Sequence, residues 1–316
     1  MQPCEETSET QAPTLDLYRD DPDSHWWTGP VAYRDMRGLF GYKSYEVLLG
    51  VMPRDIGQAV SLNLHDPQHP LRVISYETES PSEEEFGVPG HMLIVSDRQD
   101  AIVGQLAILA ATTCVEEAGD IELFVMTGQP EVWEDLSSLK QINSVTRVDD
   151  VNATDEIMDN LSRLLHYMQR TGLQQGDHPY VLMIDDLAAT MYWSKAAREA
   201  LHELLCFGPE YHVWVIAGLD NAQLEGFVQY DEYDWMGMMQ TRWFTGIQNP
   251  ETLHAWGIPQ QVGGIPVVNR PFGQSVLQCF RSQNASQPTC LNIAVPLEYG
   301  EEPLFETEEI LFDEEE

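Results

Sequence analysis

Two adjacent carboxylates, Asp185 and Asp186, close the apolar run Tyr180-Val181-Leu182-Met183-Ile184 and lead into Leu187-Ala188. Such a run is long enough to cross a sheet buried on both faces. Carboxylates at the C-terminal end of a buried parallel strand stand where α/β proteins bind ligands. The chemistry open to the pair is phosphoryl transfer, with Asp185 in the shell of a magnesium ion and Asp186 polarising the attacking water. A plain buried strand with a solvated acidic end would show the same pattern. What precedes the pair therefore decides its meaning.

A phosphate site needs a strand, a glycine-rich turn and a helix upstream of the carboxylates. From Gly90 the chain supplies the strand and the helix. His91-Met92-Leu93-Ile94-Val95 reads as a buried strand, Ser96 to Asp100 as a polar turn, and Ala101 to Val115 as an Ala-rich helix. The turn position holds Ser96-Asp97-Arg98-Gln99-Asp100-Ala101-Ile102-Val103, in which no glycine lets backbone N–H groups converge on an anion. By position Ile102 fills the slot of a phosphate-binding lysine and Val103 that of a magnesium-binding hydroxyl. Asp97 and Asp100 add negative charge where a triphosphate would lie.

The elements around these residues alternate. Tyr45–Val51 and Ala59–Leu64, separated by Pro53-Arg54-Asp55-Ile56-Gly57, read as a β-hairpin. Residues 65–89 read as a surface insertion interrupted by a short strand at Leu71–Tyr76. After the first strand–helix unit come a strand at Ile121–Met126, a variable polar region from Thr127 to Val151, and a helix over 154–170. The Tyr180 strand follows, then a helix at Ser194–Phe207, a strand at His212–Ala217, and shorter strands at Thr241–Thr245 and Val267–Asn269. This order predicts an α/β fold with a mainly parallel sheet and right-handed crossovers. Residues 1–25 and the acidic tail 300–316 read as disordered or solvated, leaving a single domain over 26–299 with its core at 90–270.

In order and spacing, the His91 strand, the Tyr180–Ala188 stretch after Pro179, and His212–Ala217 resemble successive blocks of the FtsK/HerA-type P-loop ATPases, across about residues 45–270. Ile184-Asp185-Asp186-Leu187-Ala188 is similar to that superfamily's Walker B stretch, and the Tyr45–Leu64 hairpin is similar to the one preceding its phosphate loop. The resemblance implies a RecA-like core. It also sharpens the departures: no Walker A glycines, lysine or hydroxyl, and Gly218-Leu219 where the family commonly carries a polar sensor glutamine. The expectation is a catalytically degenerate domain, with no cofactor, acting as a scaffold or regulatory subunit beside an active ATPase or another protein. The superfamily implies oligomers such as hexameric rings. The alternative keeps ATP and Mg2+ on a non-standard loop, with Asp185 on the metal.

Composition narrows the partners. Sixteen basic residues against 52 acidic ones, a formal charge of −36, repel a phosphate backbone, so direct nucleic-acid binding is not expected. No apolar run approaches the ~20 residues that span a bilayer. The polar N-terminus does not read as a signal peptide. Five scattered cysteines without a CxxC pair read as reduced core thiols, hence a cytoplasmic location. The nine histidines form no ligand-spaced cluster, and His178 and His212 read as loop or strand-end residues. Trp235, Trp243 and Trp256 are the aromatics that would contact a partner, with core packing the other outcome, favoured for Trp243. Asp185 and Asp186, as crowded carboxylates, would repel each other.

Overall fold

The computed structural model describes residues 31–40, 45–52, 55–66, 71–75, 91–115, 121–172, 178–247, 249–262, 265–266, 274–281, 284–285 and 289–295. The expectations for 1–25, most of 65–89, Val267–Asn269 and 300–316 fall outside those residues.

The N-terminal part supplies β1 (Val31–Ala32), α1 (Tyr33–Phe40), β2 (Glu46–Met52), β3 (Asp55–Asn63) and β4 (Leu71–Ser75). The central part alternates: β5 (Met92–Ser96), α2 (Gln99–Val115), β6 (Glu122–Thr127), β7 (Ile142–Arg147), α3 (Val151–Thr171), β8 (Tyr180–Ile184), α4 (Lys195–Phe207), β9 (Val213–Asp220), α5 (Leu224–Tyr230), α6 (Trp235–Met238) and β10 (Thr241–Phe244). Then follow α7 (Pro250–Ala255), the small pair β11 (Gln261–Val262) and β12 (Ile265–Pro266), β13 (Gln274–Arg281), β14 (Asn284–Ala285) and β15 (Thr289–Val295).

Thirteen of these strands share one sheet, in the order β4-β3-β2-β15-β13-β10-β5-β9-β8-β6-β7, with β1 beside β15 and β14 beside β13. From β10 to β7 every neighbouring pair is parallel, as the strand–helix alternation requires. From β4 to β10 every pair is antiparallel. The hairpin thus continues the parallel core as an antiparallel wing, joined to it through β15 and β13. In β5, β8 and β9 successive side chains enter two different cores. Leu93, Val95, Leu182, Ile184, Val215 and Ala217 face α3 and α4. Met92, Ile94, Val181, Met183, Trp214 and Ile216 face α2.

Helix α2 is buried on every side: each residue from Ala101 to Thr113 is buried. Its sequence has no polar face to present to water, which marks a core helix. It contacts β5 and β9 of the parallel half, β2 and β15 of the wing, and the short turn Pro130–Trp133. The wing is tied down by Trp214, whose Nε1 donates to the Leu64 carbonyl at 2.8 Å. His91, fully buried, accepts the Val215 N–H on Nδ1 at 2.9 Å. Its Nε2 therefore carries the proton, donated to the Leu205 carbonyl at 3.1 Å.

Four expectations are corrected. Helix α2 starts at Gln99, two residues before Ala101. The region 127–151 contains an edge strand, β7. Trp235 is a core residue at 0% exposure and not a partner contact, Trp256 is half-buried against Phe244, and Trp243 lies in the core at 1% exposure as its flanking residues favoured. Cys206 is exposed, whereas Cys114 and Cys290 are shielded, and burial pushes their thiols up to about 12 and about 11.

Candidate functional site

The site lies where β5, β8 and β9 end. β9 separates the other two, so the turn after β5 and the carboxylates after β8 face each other across it. β8 carries Asp185 and Asp186 just beyond its last residue, Ile184, as its apolar run predicted.

Asp185 is 1% exposed. It is held from the neighbouring strand, not from the turn after β5. The hydroxyl of Thr127, the last residue of β6, donates to Oδ2. The Gly128 N–H lies 3.0 Å from both carboxylate oxygens. Burial nonetheless dominates and pushes the Asp185 carboxyl up to about 6, with the charge of Asp186 a lesser contribution. The crowding of the two aspartates is therefore secondary to desolvation. Asp186 is half-buried, accepts the Ala189 N–H at 3.1 Å, and is raised first by burial and further by Asp220.

The link opposite is two residues long. β5 ends at Ser96 and α2 begins at Gln99, leaving only Asp97 and Arg98 between them. A phosphate cradle between strand and helix occupies about eight residues. The described left-handed backbone positions are Tyr45, Gly172, His212, Asp234, Gly246 and Gly257, so neither link residue supplies the turn of an anion nest. Ser96 Oγ accepts the Arg98 N–H at 3.2 Å, closing the turn on itself. Arg98 Nε donates to Asp100 at 3.1 Å, and this contact draws the Asp100 carboxyl below its usual range. Asp97, exposed, is raised by partial burial and by Asp220.

The first turn of α2 then closes the space above β9. Gln99 Nε2 donates to the main-chain carbonyl of Asp185 at 2.8 Å. Ile102, in the lysine slot, is 0% exposed, and Val103, in the hydroxyl slot, is 1% exposed. Gly218, in β9, makes room for Ile102. A Cβ there would lie 2.8 Å from the Asp185 carbonyl and inside contact distance of Ile102 Cγ2. The segment Ser96–Val103 and the pair Asp185–Asp186 are thus brought together, joined through Gln99. Thr127, Gly128 and Gly218 are the site residues that sequence reasoning missed as partners. Thr127-Gly128, a hydroxyl and a glycine closing an apolar strand, was the available signal. His178 precedes β8 and pairs with Glu122 at 3.0 Å, and His212 forms the turn into β9. No group of three or more described His, Cys, Asp or Glu residues is arranged to hold a metal ion.

No protein-family model matches the chain, and no curated protein sequence matches it. Solved structures do match. The cytoplasmic domain of EssC superposes with a TM-score of 0.55 at 10% identity, covering 84% of this chain and 47% of that one. Thermomonospora curvata EccC (ATPases 2 and 3), solved with a signal sequence peptide, superposes at 0.55 and 12% identity, covering 86% and 44%. The pCW3 conjugation coupling protein TcpA, solved as a monomer with ATPγS, superposes at 0.54 and 9% identity, covering 85% and 70%. These neighbours are FtsK/HerA-type P-loop ATPases, and the chain has their RecA-like fold. The chain spans about half the length of the EssC and EccC chains it matches. No described helix is long and apolar enough to cross a membrane.

Proposed function

We propose that this chain is a pseudo-ATPase. It keeps an FtsK/HerA-type ATPase domain as a scaffold or regulatory subunit and works in the cytoplasm without a cofactor, through contact with a protein partner. An active ATPase of the same type, or further copies of the chain in a ring, are partners of the right kind. One observation carries the reading: the two-residue link Asp97-Arg98, with Ile102 packed on Gly218 where the lysine should leave the core. A triphosphate needs converging N–H groups, a lysine and a hydroxyl on magnesium. The link and the first turn of α2 offer Asp97, an arginine ion-paired with Asp100, Gln99 bonded to the Asp185 carbonyl, and two buried aliphatic side chains.

The second reading, ATP and Mg2+ on a non-standard loop, rests on Asp185 and Asp186. They stand at the C-terminal end of β8, where a Walker B pair would stand, and Asp185 would take the metal. Calorimetry with millimolar MgATP separates the two. The pseudo-ATPase reading expects no binding heat and no phosphate release, and a stoichiometric micromolar site would overturn it.

A further inference from the structure

We propose that the C-terminal edge of the parallel strands, beside the two-residue link, is a docking surface for an apolar segment carrying Lys or Arg, contributed by another protein. This deepens the pseudo-ATPase reading and rests on it.

Two features meet on this edge. The first is apolar. The short turn Ala188–Tyr192 follows Asp186 after one residue, Leu187, and it touches α5, which follows the end of β9. Tyr192 is 87% exposed, Tyr230 65% and Val228 56%. Leu224 and Met191 lie half-buried behind them, packed against the core. Large side chains with this exposure, on two touching elements, form the kind of surface that a partner covers.

The second feature is charge. Asp97, Asp186 and Asp220 close β5, β8 and β9, and the negative charge of Asp220 disfavours ionisation of both Asp97 and Asp186. The nearest arginine in sequence, Arg98, is paired with Asp100. On α4, next along the chain, Lys195 pairs with Glu199 and Arg198 with Glu232. A partner bringing Lys or Arg relieves this repulsion, and tyrosine faces accept such cations too. The charge also decides between occupants. The chain's own segment 296–316 holds apolar residues, among them Ile310-Leu311-Phe312, but ends in Asp-Glu-Glu-Glu and would add to the repulsion.

The test uses the full chain and a short fluorescein-labelled peptide of alternating leucine and lysine, followed by anisotropy over a salt series. Tyr192→Ser with Tyr230→Ser should weaken binding about tenfold or more without changing the salt slope. Asp97→Asn with Asp220→Asn should flatten that slope, and asparagine at 220 keeps an acceptor for the Ala222 N–H. Tyr167→Ser with Phe207→Ser, at the opposite edge of the sheet, should change neither. Unchanged affinity in both edge variants, or an equal loss in the opposite-edge variant, overturns the proposal. So does tighter binding after deletion of residues 300–316, which would place the chain's own tail on the edge. MgATP binding would instead remove the pseudo-ATPase reading and leave the peptide result standing.

Discussion

Ile102 lies directly on Gly218, in the space that any side chain at position 218 would need. That contact joins the lysine slot, in the first turn of α2, to the strand between β5 and β8. Gly218→Ala forces a methyl group between Ile102 Cγ2 and the Asp185 carbonyl. It should cost about 1–3 kcal/mol, as overpacking of a filled core does. Urea unfolding of the two proteins checks this. An unchanged midpoint would mean that Ile102 moves aside freely.

Asp185 should make stability fall as pH rises. Its carboxyl titrates near 6 in the folded chain against the ordinary 3.8. The folded state therefore holds a proton that the unfolded state has already lost between those values. The stabilisation is complete below about pH 3.8 and gone above about 6, a difference of about 3 kcal/mol. Asp185→Asn keeps an acceptor for Gly128 and a donor toward Thr127. It should be more stable than the parent at pH 7 by about 2–3 kcal/mol, with the gap closing toward pH 4. Denaturant titrations at several pH values measure it, and a destabilised variant at pH 7 would show that the carboxylate is required where it stands.

His91 works in the opposite sense. Burial lowers its pKa from 6.5 to about 4, so the unfolded chain takes up a proton first as the solution is acidified. Its contribution is intact above pH 6.5 and lost by about pH 4, again about 3 kcal/mol. His91→Gln can still accept from Val215 and donate to Leu205. Its acid loss between pH 6.5 and 4 should be smaller than the parent's by that amount. Equal losses would place the imidazole in contact with water.

Duplex DNA should not bind. The chain carries 16 basic residues against 52 acidic ones, with no stretch denser in cations than Arg34-Asp35-Met36-Arg37. Each neutralised phosphate needs a cation, and the long-range field opposes approach. A mobility shift across a salt series tests this, and sub-micromolar binding at about 150 mM salt would contradict it.

How much was legible follows from the local chemistry. The parallel core could be read because each strand buried on both faces is a continuous apolar run, as in Met92–Val95 and Tyr180–Ile184. β7 escaped because an edge strand keeps polar residues, here Asn143, Ser144 and Thr146, and so resembles a loop. Helix α2 began early because Gln99 and Asp100 look like turn residues until the hydrogen bond from Gln99 to the Asp185 carbonyl is seen. The aspartate pair was visible as adjacent residues. The Thr127 hydroxyl that holds Asp185 stands 58 positions away, and the room above Gly218 is filled by Ile102 of α2, a helix from another strand–helix unit. Such contacts leave no local pattern.

The enclosure of α2 sets an order of events during synthesis. β5 and α2 leave the ribosome early, but β15, which lies between β2 and β13, comes last among the described elements. Until residue 295 has emerged, the two halves of the sheet are not bridged, and one flank of a predominantly apolar helix has no cover. The growing chain therefore carries an exposed hydrophobic rod through most of its translation, a state prone to aggregation and to capture by chaperones. Shortening the chain before β15 would make that transient state permanent.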